Sequence, residues 1–365
     1  MTVEVAQPEP ALAQPSHGAP FRMSTGGLAA RGLFLFAVGY VALYWYPHHS
    51  ADHAANASLA AIFAIVGLSL NILIGYTGQL SLGHQGFLGT GALTAAYLAT
   101  QTKLPFALTL VGAIVAGTLV ALILGLVALR ITGLYLALIT LVFGLFCRDT
   151  LFQTPALTNQ GVGQPADRPN FLLENYKYFL FCVAILAVVL YLDLRLTRSK
   201  TGRALLALRE NERVAEAFGI NVTKFKLIAF VLSGAIVGLA GALFAYRSQQ
   251  FAEQDYEFQL GLTFVLMTVV GGLNSRVGVV LGATVFALLR ETLASIDFIV
   301  DLFENAAYLP DLIGALLLVL TLVFNPGGIA QQIKPLTRWL AGGRFTMHGE
   351  DDGGPAAVEG SRVRA

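Results

Sequence analysis

The chain has 365 residues, of which 56% are hydrophobic and only 12% charged, against about 45–50% and about 25% in an ordinary soluble domain. So few charged side chains cannot cover a soluble body of this size, and the apolar excess has to face lipid, which argues against a soluble enzyme. A formal net charge of +1, with aromatics scattered through apolar runs, leaves no basic stripe for nucleic acid.

Residues 1–27 are rich in Ala, Pro and Gly, place Glu4 and Glu9 ahead of any basic residue and have no apolar h-region, so they read as a disordered lead rather than a signal peptide. From 28 to 341 the pattern is all-α, a polytopic membrane helix bundle of about ten spans with possible broken helices. A span needs about 20 mostly apolar residues, because each helical residue rises about 1.5 Å across a hydrocarbon core of about 30 Å. Ten stretches fit or nearly fit: 30–46, 54–76, 84–101, 105–129, 131–147, 178–194, 225–246, 259–273, 277–294 and 308–325. Residues 342–365 mix Gly, Asp, Glu and Arg and read as a disordered tail.

After the first stretch, His48, His49 and His53 stand close enough to suggest a transition-metal site, but nothing nearby completes one and a solvated loop fits better. The second and third stretches are separated by Thr77-Gly78-Gln79-Leu80-Ser81-Leu82-Gly83-His84-Gln85-Gly86. Irregular backbone at membrane depth survives only inside protein or beside a water-filled cavity. Two readings stand: a cytoplasmic turn, or a broken helix lining a pathway with Gln79, Ser81, Gly83, His84, Gln85 and Gly86 as its candidate residues. His84 reads as a hydrogen-bonded structural histidine in preference to a proton relay. Gly86, Gly89 and Gly91 favour close packing of the following helix. Cys147 and Cys182 lie in apolar segments as small hydrophobes and suggest neither a disulfide nor a metal site.

Residues 195–226 hold eight of the 23 basic residues and are expected in the cytoplasm. The stretch 247–258 has Glu253, Asp255 and Glu257 with only Arg247, and 291–311 has five acidic residues and no Lys or Arg, so both are expected outside. Ten crossings then put both termini in the cytoplasm and the loop 148–177 outside. Within 195–226, short helices fit near 201–209 and 211–218, the second stopped by Gly219. Val214, Ala217 and Phe218 would share one face among charges, a knob able to enter a partner's groove. Small-xxx-small pairs recur as Gly234 with Gly238, followed by Gly241, and as Gly278 with Gly282, which suits bundle packing or a dimer contact. A second break, Gly271-Gly272-Leu273-Asn274-Ser275-Arg276-Val277-Gly278, has the same form as the first and hints at a repeat.

The chain contains no G-x-x-x-x-G-K-[ST], so any ATP has to be handled elsewhere. No apolar span carries a central Asp, Glu or Lys, which argues against a proton- or sodium-driven carrier.

The run from Gly67 to Ala92, the segment Leu129 to Leu141, the loop 195–226, Gly271-Gly272-Leu273 and Phe324-Asn325-Pro326-Gly327-Gly328 together resemble the LivM-type permease of bacterial branched-chain amino acid ABC importers, over about residues 60–330. The resemblance implies a non-enzymatic transport subunit in the bacterial inner membrane, with leucine, isoleucine and valine as default cargo and urea or short amides as the alternative. It also implies a LivH-like second permease, two ATPase subunits and an external solute-binding protein, with no cofactor on this chain and ATP and Mg on the ATPase subunits. Glu216-Ala217 and Gly219 stand for the family's EAA-like docking core, and Arg209, Glu212, Val214 and Phe218 complete the expected ATPase contact. One departure is Leu157-Thr158-Asn159-Gln160-Gly161-Val162-Gly163, where the family has a Thr-Gly-Gly type turn, and it leaves the substrate open.

Overall fold

The computed structural model describes residues 39–128, 133–155, 157–158, 163–294, 316, 320 and 328–333. Ten helices carry the architecture among them. They are α1 (Ala51–Leu70, continued by a π turn over Asn71–Gly75), α2 (His84–Thr100), α3 (Phe106–Ala128), α4 (Leu134–Phe146, continued by a π turn over Cys147–Leu151) and α5 (Asn175–Arg198). There follow α6 (Lys200–Glu210), α7 (Glu212–Ala217), α8 (Val222–Ser248), α9 (Phe258–Gly271) and α10 (Arg276–Ala294). Among the described residues five segments are long and apolar enough to cross a membrane: Ala51–Gly75, Phe106–Leu126, Leu134–Leu151, Asn175–Arg198 and Val222–Ser248.

The expected stretches from 54 to 294 thus appear as eight helices with ends moved by a few residues, as in α5, which runs from Asn175 to Arg198 instead of 178 to 194. Polar residues at its ends keep the backbone hydrogen-bonded beyond the apolar run, so the helix outlasts its lipid-facing part. The stretch 30–46 is described only from 39, and 308–325 only at 316 and 320; the lead 1–27 and the tail 342–365 lie outside the described residues.

α1 is the axis of the bundle. Ser50 caps it by accepting from the His53 amide at 3.1 Å, Asp52 sits in its first turn, and its apolar window is buried on every side. A helix apolar all round belongs in a core, and α5, α8, α9 and α10 pack around it. α8 also packs on α2 and α3, where its glycines remove the bulk between backbones. A Cβ at Gly238 would lie 2.5 Å from the Ala113 carbonyl oxygen and 3.1 Å from Gly117 Cα, and one at Gly241 would strike the Leu88 carbonyl. Gly278 and Gly282 meet Gly271 of α9 in the same way. Both small-xxx-small pairs are therefore used within this chain as bundle packing.

One end of the bundle is closed by the loops after α4 and α8. Strands β1 (Gln164–Pro165) and β2 (Gln250–Phe251) pair antiparallel, Gln164 opposite Phe251. Arg168, buried beside them, donates Nε to the Tyr246 carbonyl and Nη2 to the Arg247 carbonyl, both at 2.7 Å, and Nη1 to Asn175 Oδ1 at 2.8 Å. A cation thus satisfies the last carbonyls of α8 and complements its dipole. Burial pulls the Arg168 guanidinium below its ordinary pKa, though a guanidinium stays charged at any ordinary pH. Arg148 reaches Glu257 at 3.2 Å across the same end. The stretches 148–177 and 247–258 thus share one end, as expected, and α6 and α7 occupy the opposite one. His53 Nδ1 lies 2.5 Å from Ser50 Oγ and His48 packs edge-on against Tyr176. Among the described residues no group of three His, Cys, Asp or Glu side chains is placed to hold a metal.

Candidate functional site

α1 ends because its last turn is capped by its own side chains and a glycine. Thr77 Oγ1 donates to the Leu73 carbonyl at 2.7 Å, Gln79 N donates to that same carbonyl at 3.0 Å, and Gly78 turns the chain at φ +70°. The chain then packs against α4: Leu82 N donates to Thr140 Oγ1 at 3.0 Å, and a Cβ at Gly83 would strike the Thr140 carbonyl. One at Gly86 would lie 3.0 Å from the Phe143 ring and 3.1 Å from Gly144 Cα. Gly83 and Gly86 hold α2 and α4 together, so bulk at either would part the helices rather than merely narrow a passage.

Gln79, Ser81, His84 and Gln85 are all buried, so in this conformation they face protein. His84 shares hydrogen bonds through Nδ1 with Ser81 Oγ at 2.9 Å and through Nε2 with Ser233 Oγ of α8 at 3.1 Å. Both ring nitrogens are occupied, which suits a structural histidine. Gln85 differs. Only 1% exposed, it is wedged between Gly144 of α4 and Gly261 of α9, and neither Oε1 nor Nε2 has a partner among the described residues; Gln79 Oε1 has none either.

The second break lies against the first. α9 stops at Gly272 (φ +105°), Asn274 follows at φ +68°, and Asn274 N donates to Asn71 Oδ1 at 2.9 Å. Arg276, opening α10, donates Nε to Asp193 Oδ2 and Nη2 to Thr197 Oγ1, and Tyr76 donates its hydroxyl to Asp193 Oδ2 at 2.9 Å. Asp193 is 2% exposed and its Oδ1 has no partner among the described residues. A carboxylate buried this deeply needs a cation, and Arg276 supplies it. Sequence reasoning named Arg276 only as part of the second break and passed over Asp193. The available signal was an aspartate one turn before the end of an apolar helix, which says that a partner exists but not which one.

The loop at this end is tightly built. Ser199 caps α6 by accepting from Gly202 N at 3.1 Å, and Asn211 caps α7 by accepting from Arg213 N at 3.0 Å and Val214 N at 3.2 Å. Gly219 takes φ +81° and closes α7: its amide donates to the Glu216 carbonyl at 2.9 Å while Ile220 N donates to the Ala215 carbonyl at 3.0 Å, a Schellman stop. Ala215 turns inward. Arg209, Val214, Glu216, Ala217 and Phe218 are exposed, Val214 by 50% and Phe218 by 83%. Glu212 reaches back to buried Lys226 of α8 at 2.6 Å, a tie within the chain. In the loop 157–163, residues 159–162 lie outside the described residues.

Residues 54–323 match the family described as branched-chain amino acid transport system / permease component. The high-affinity branched-chain amino acid transport system permease protein LivM of Salmonella typhimurium is 32% identical over 347 residues, covering 87% of this chain and 79% of its own length. The protein of the same description from Escherichia coli is 32% identical over 338 residues, covering 85% and 77%. A probable branched-chain amino acid transport permease protein LivH of Methanocaldococcus jannaschii is 28% identical over 162 residues, 44% of this chain and 50% of that one.

Proposed function

The chain belongs to the permease-component family of branched-chain amino acid transport systems, and from that premise we propose that it forms one half of the membrane pathway of an importer for leucine, isoleucine and valine. It is a membrane-spanning ABC transporter permease subunit, not an enzyme. In this proposal the other half is a LivH-like permease, and an external binding protein delivers cargo to the end bearing Arg168. Two ATPase subunits, carrying ATP and Mg, dock at the end bearing α6 and α7. That end faces the cytoplasm and both termini lie there, a placement supported by the basic excess of 195–226.

The observation that carries the coupling role is Phe218. An aromatic side chain 83% exposed beside half-exposed Val214, on a helix capped at its start and stopped at its end, has the form of an anchor presented to a groove. Phe218→Glu should leave the chain in the membrane but sharply reduce recovery of the ATPase subunits on a column with it. Undiminished recovery would remove the docking role. For cargo, the test is radiolabelled leucine against urea in a deletion strain carrying this importer. Uptake of urea without leucine would overturn the assignment. Gln79, Ser81, His84 and Gln85 are proposed as the polar lining that the cargo meets when the bundle opens, a role supported by Gln79 Oε1 and both amide atoms of Gln85, which have no partner among the described residues.

A further inference from the structure

The α6–α7 loop is free at its tip and fastened at both roots, and each root leads to one flank of the first polar break. On the α8 side, buried Lys226 binds the partly exposed Glu212 at 2.6 Å, so the start of α7 and the start of α8 are tied. Lys226 and Ser233 lie two helical turns apart on one face of α8. Ser233 meets His84, the first residue of α2, at 3.1 Å. On the α5 side, Asp193 stands less than two turns before Ser199, where the loop begins. It holds Tyr76, the last residue before the first break, at 2.9 Å, together with Arg276, the residue of the second break that opens α10. Arg276 also grips Thr197 on the same turn of α5.

We propose that these two ion pairs, Glu212–Lys226 and Asp193–Arg276, are positioning elements that carry displacement of the docking loop into the two polar breaks. Taking α7 as the ATPase contact, which rests on the function proposed above, a push on Phe218 reaches His84 through Lys226 and α8. It reaches Tyr76 and Asn274 through Asp193 and Arg276. Both flanks of the first break then move with the loop. Coupling requires an element with two arrangements, and Asp193 supplies one: its unpaired Oδ1 leaves the Arg276 fork a second, bidentate way to hold the same carboxylate.

The test uses the whole complex reconstituted in vesicles with its ATPase subunits and loaded binding protein, comparing leucine uptake per ATP hydrolysed. Lys226→Glu and Asp193→Asn should each assemble with the ATPase subunits and hydrolyse ATP at the basal rate, yet lose about tenfold in uptake per ATP. Restoring opposite charges in the swap Glu212→Lys with Lys226→Glu should recover most of the ratio, and Asp193→Asn with Arg276→Gln should not. Wild-type uptake per ATP in the single variants would overturn the proposal. Failure of the single variants to assemble, with or without recovery in the swap, would assign the pairs to stability and overturn it equally. Phe218→Glu separates the two layers: if that variant keeps its ATPase subunits and full coupling, the docking role itself fails, whatever the ion pairs do.

Discussion

A buried amide without partners costs about 1–3 kcal/mol, and Gln85 leaves both of its polar atoms unpaired at 1% exposure. A purely structural site would be better served by an apolar side chain of the same length. Gln85→Met should therefore raise the thermal midpoint of the solubilised complex while lowering leucine uptake, because it removes an amide needed only when α4 and α9 separate. A raised midpoint with unchanged uptake would show that the amide has no part in transport. Gly219 poses the converse case. A Cβ there would meet nothing within 4 Å, so any penalty is conformational, about 1–2 kcal/mol for a residue held at φ +81°. Asparagine tolerates that region better than alanine, and valine worst. Coupling measured as ATPase stimulation by loaded binding protein should fall in the order Gly219, Asn, Ala, Val; equal stimulation in all four would mean that the exit angle of α7 is unimportant.

At the scale of elements, helix ends decide much of this architecture. Arg168→Met removes the only charged donor on the last carbonyls of α8 among the described hydrogen bonds, and each bond to a charged group contributes about 1.5–3 kcal/mol. The variant should unfold at a lower temperature and admit protease into the stretch 163–174; Arg168→Lys should recover little, since an ammonium cannot serve two carbonyls and Asn175 in one plane. Unaltered cleavage would place the closure of this end in the β1–β2 pair and the aromatic cluster around Tyr256. The helices themselves were legible in the sequence because an apolar run of about 20 residues has few alternatives in lipid. The stop at Gly219 was legible too, since glycine after a short capped helix is a local signal. What escaped was long-range. Asp193 and Arg276 are separated by 83 positions, and neither shows in isolation which buried charge will answer it. The depth of the first break was ambiguous for a related reason: the same polar run suits a turn or a broken helix. Tyr76 on Asp193 places its start at the end of the bundle that bears the loop, whereas His84 on Ser233, two turns further along α8 than Lys226, lies deeper.

For the molecule as a whole, the outer helices show what surrounds it. On α3, Leu108, Val111, Val115, Leu119, Ile123 and Leu126 form a stripe of half-exposed apolar side chains at helical spacing, and Leu134, Tyr135, Leu138, Val142 and Phe146 do so on α4. Such stripes suit lipid or another membrane subunit, whereas both ends of the bundle are polar and covered by charged loops. The two ends differ in sign, with the basic α6–α7 loop opposite the acidic residues Glu253, Asp255 and Glu257. From that asymmetry, Lys200 should face the cytoplasm and Gln254 the outside. Single cysteines at these two exposed positions report it cleanly, because the native thiols Cys147 and Cys182 are both buried. An impermeant maleimide given to cells with a permeabilised outer membrane should label position 254 and spare position 200 until the inner membrane is opened. Labelling of position 200 alone in sealed cells would invert the topology, place Phe218 outside and remove every ATP-coupling role assigned to the loop.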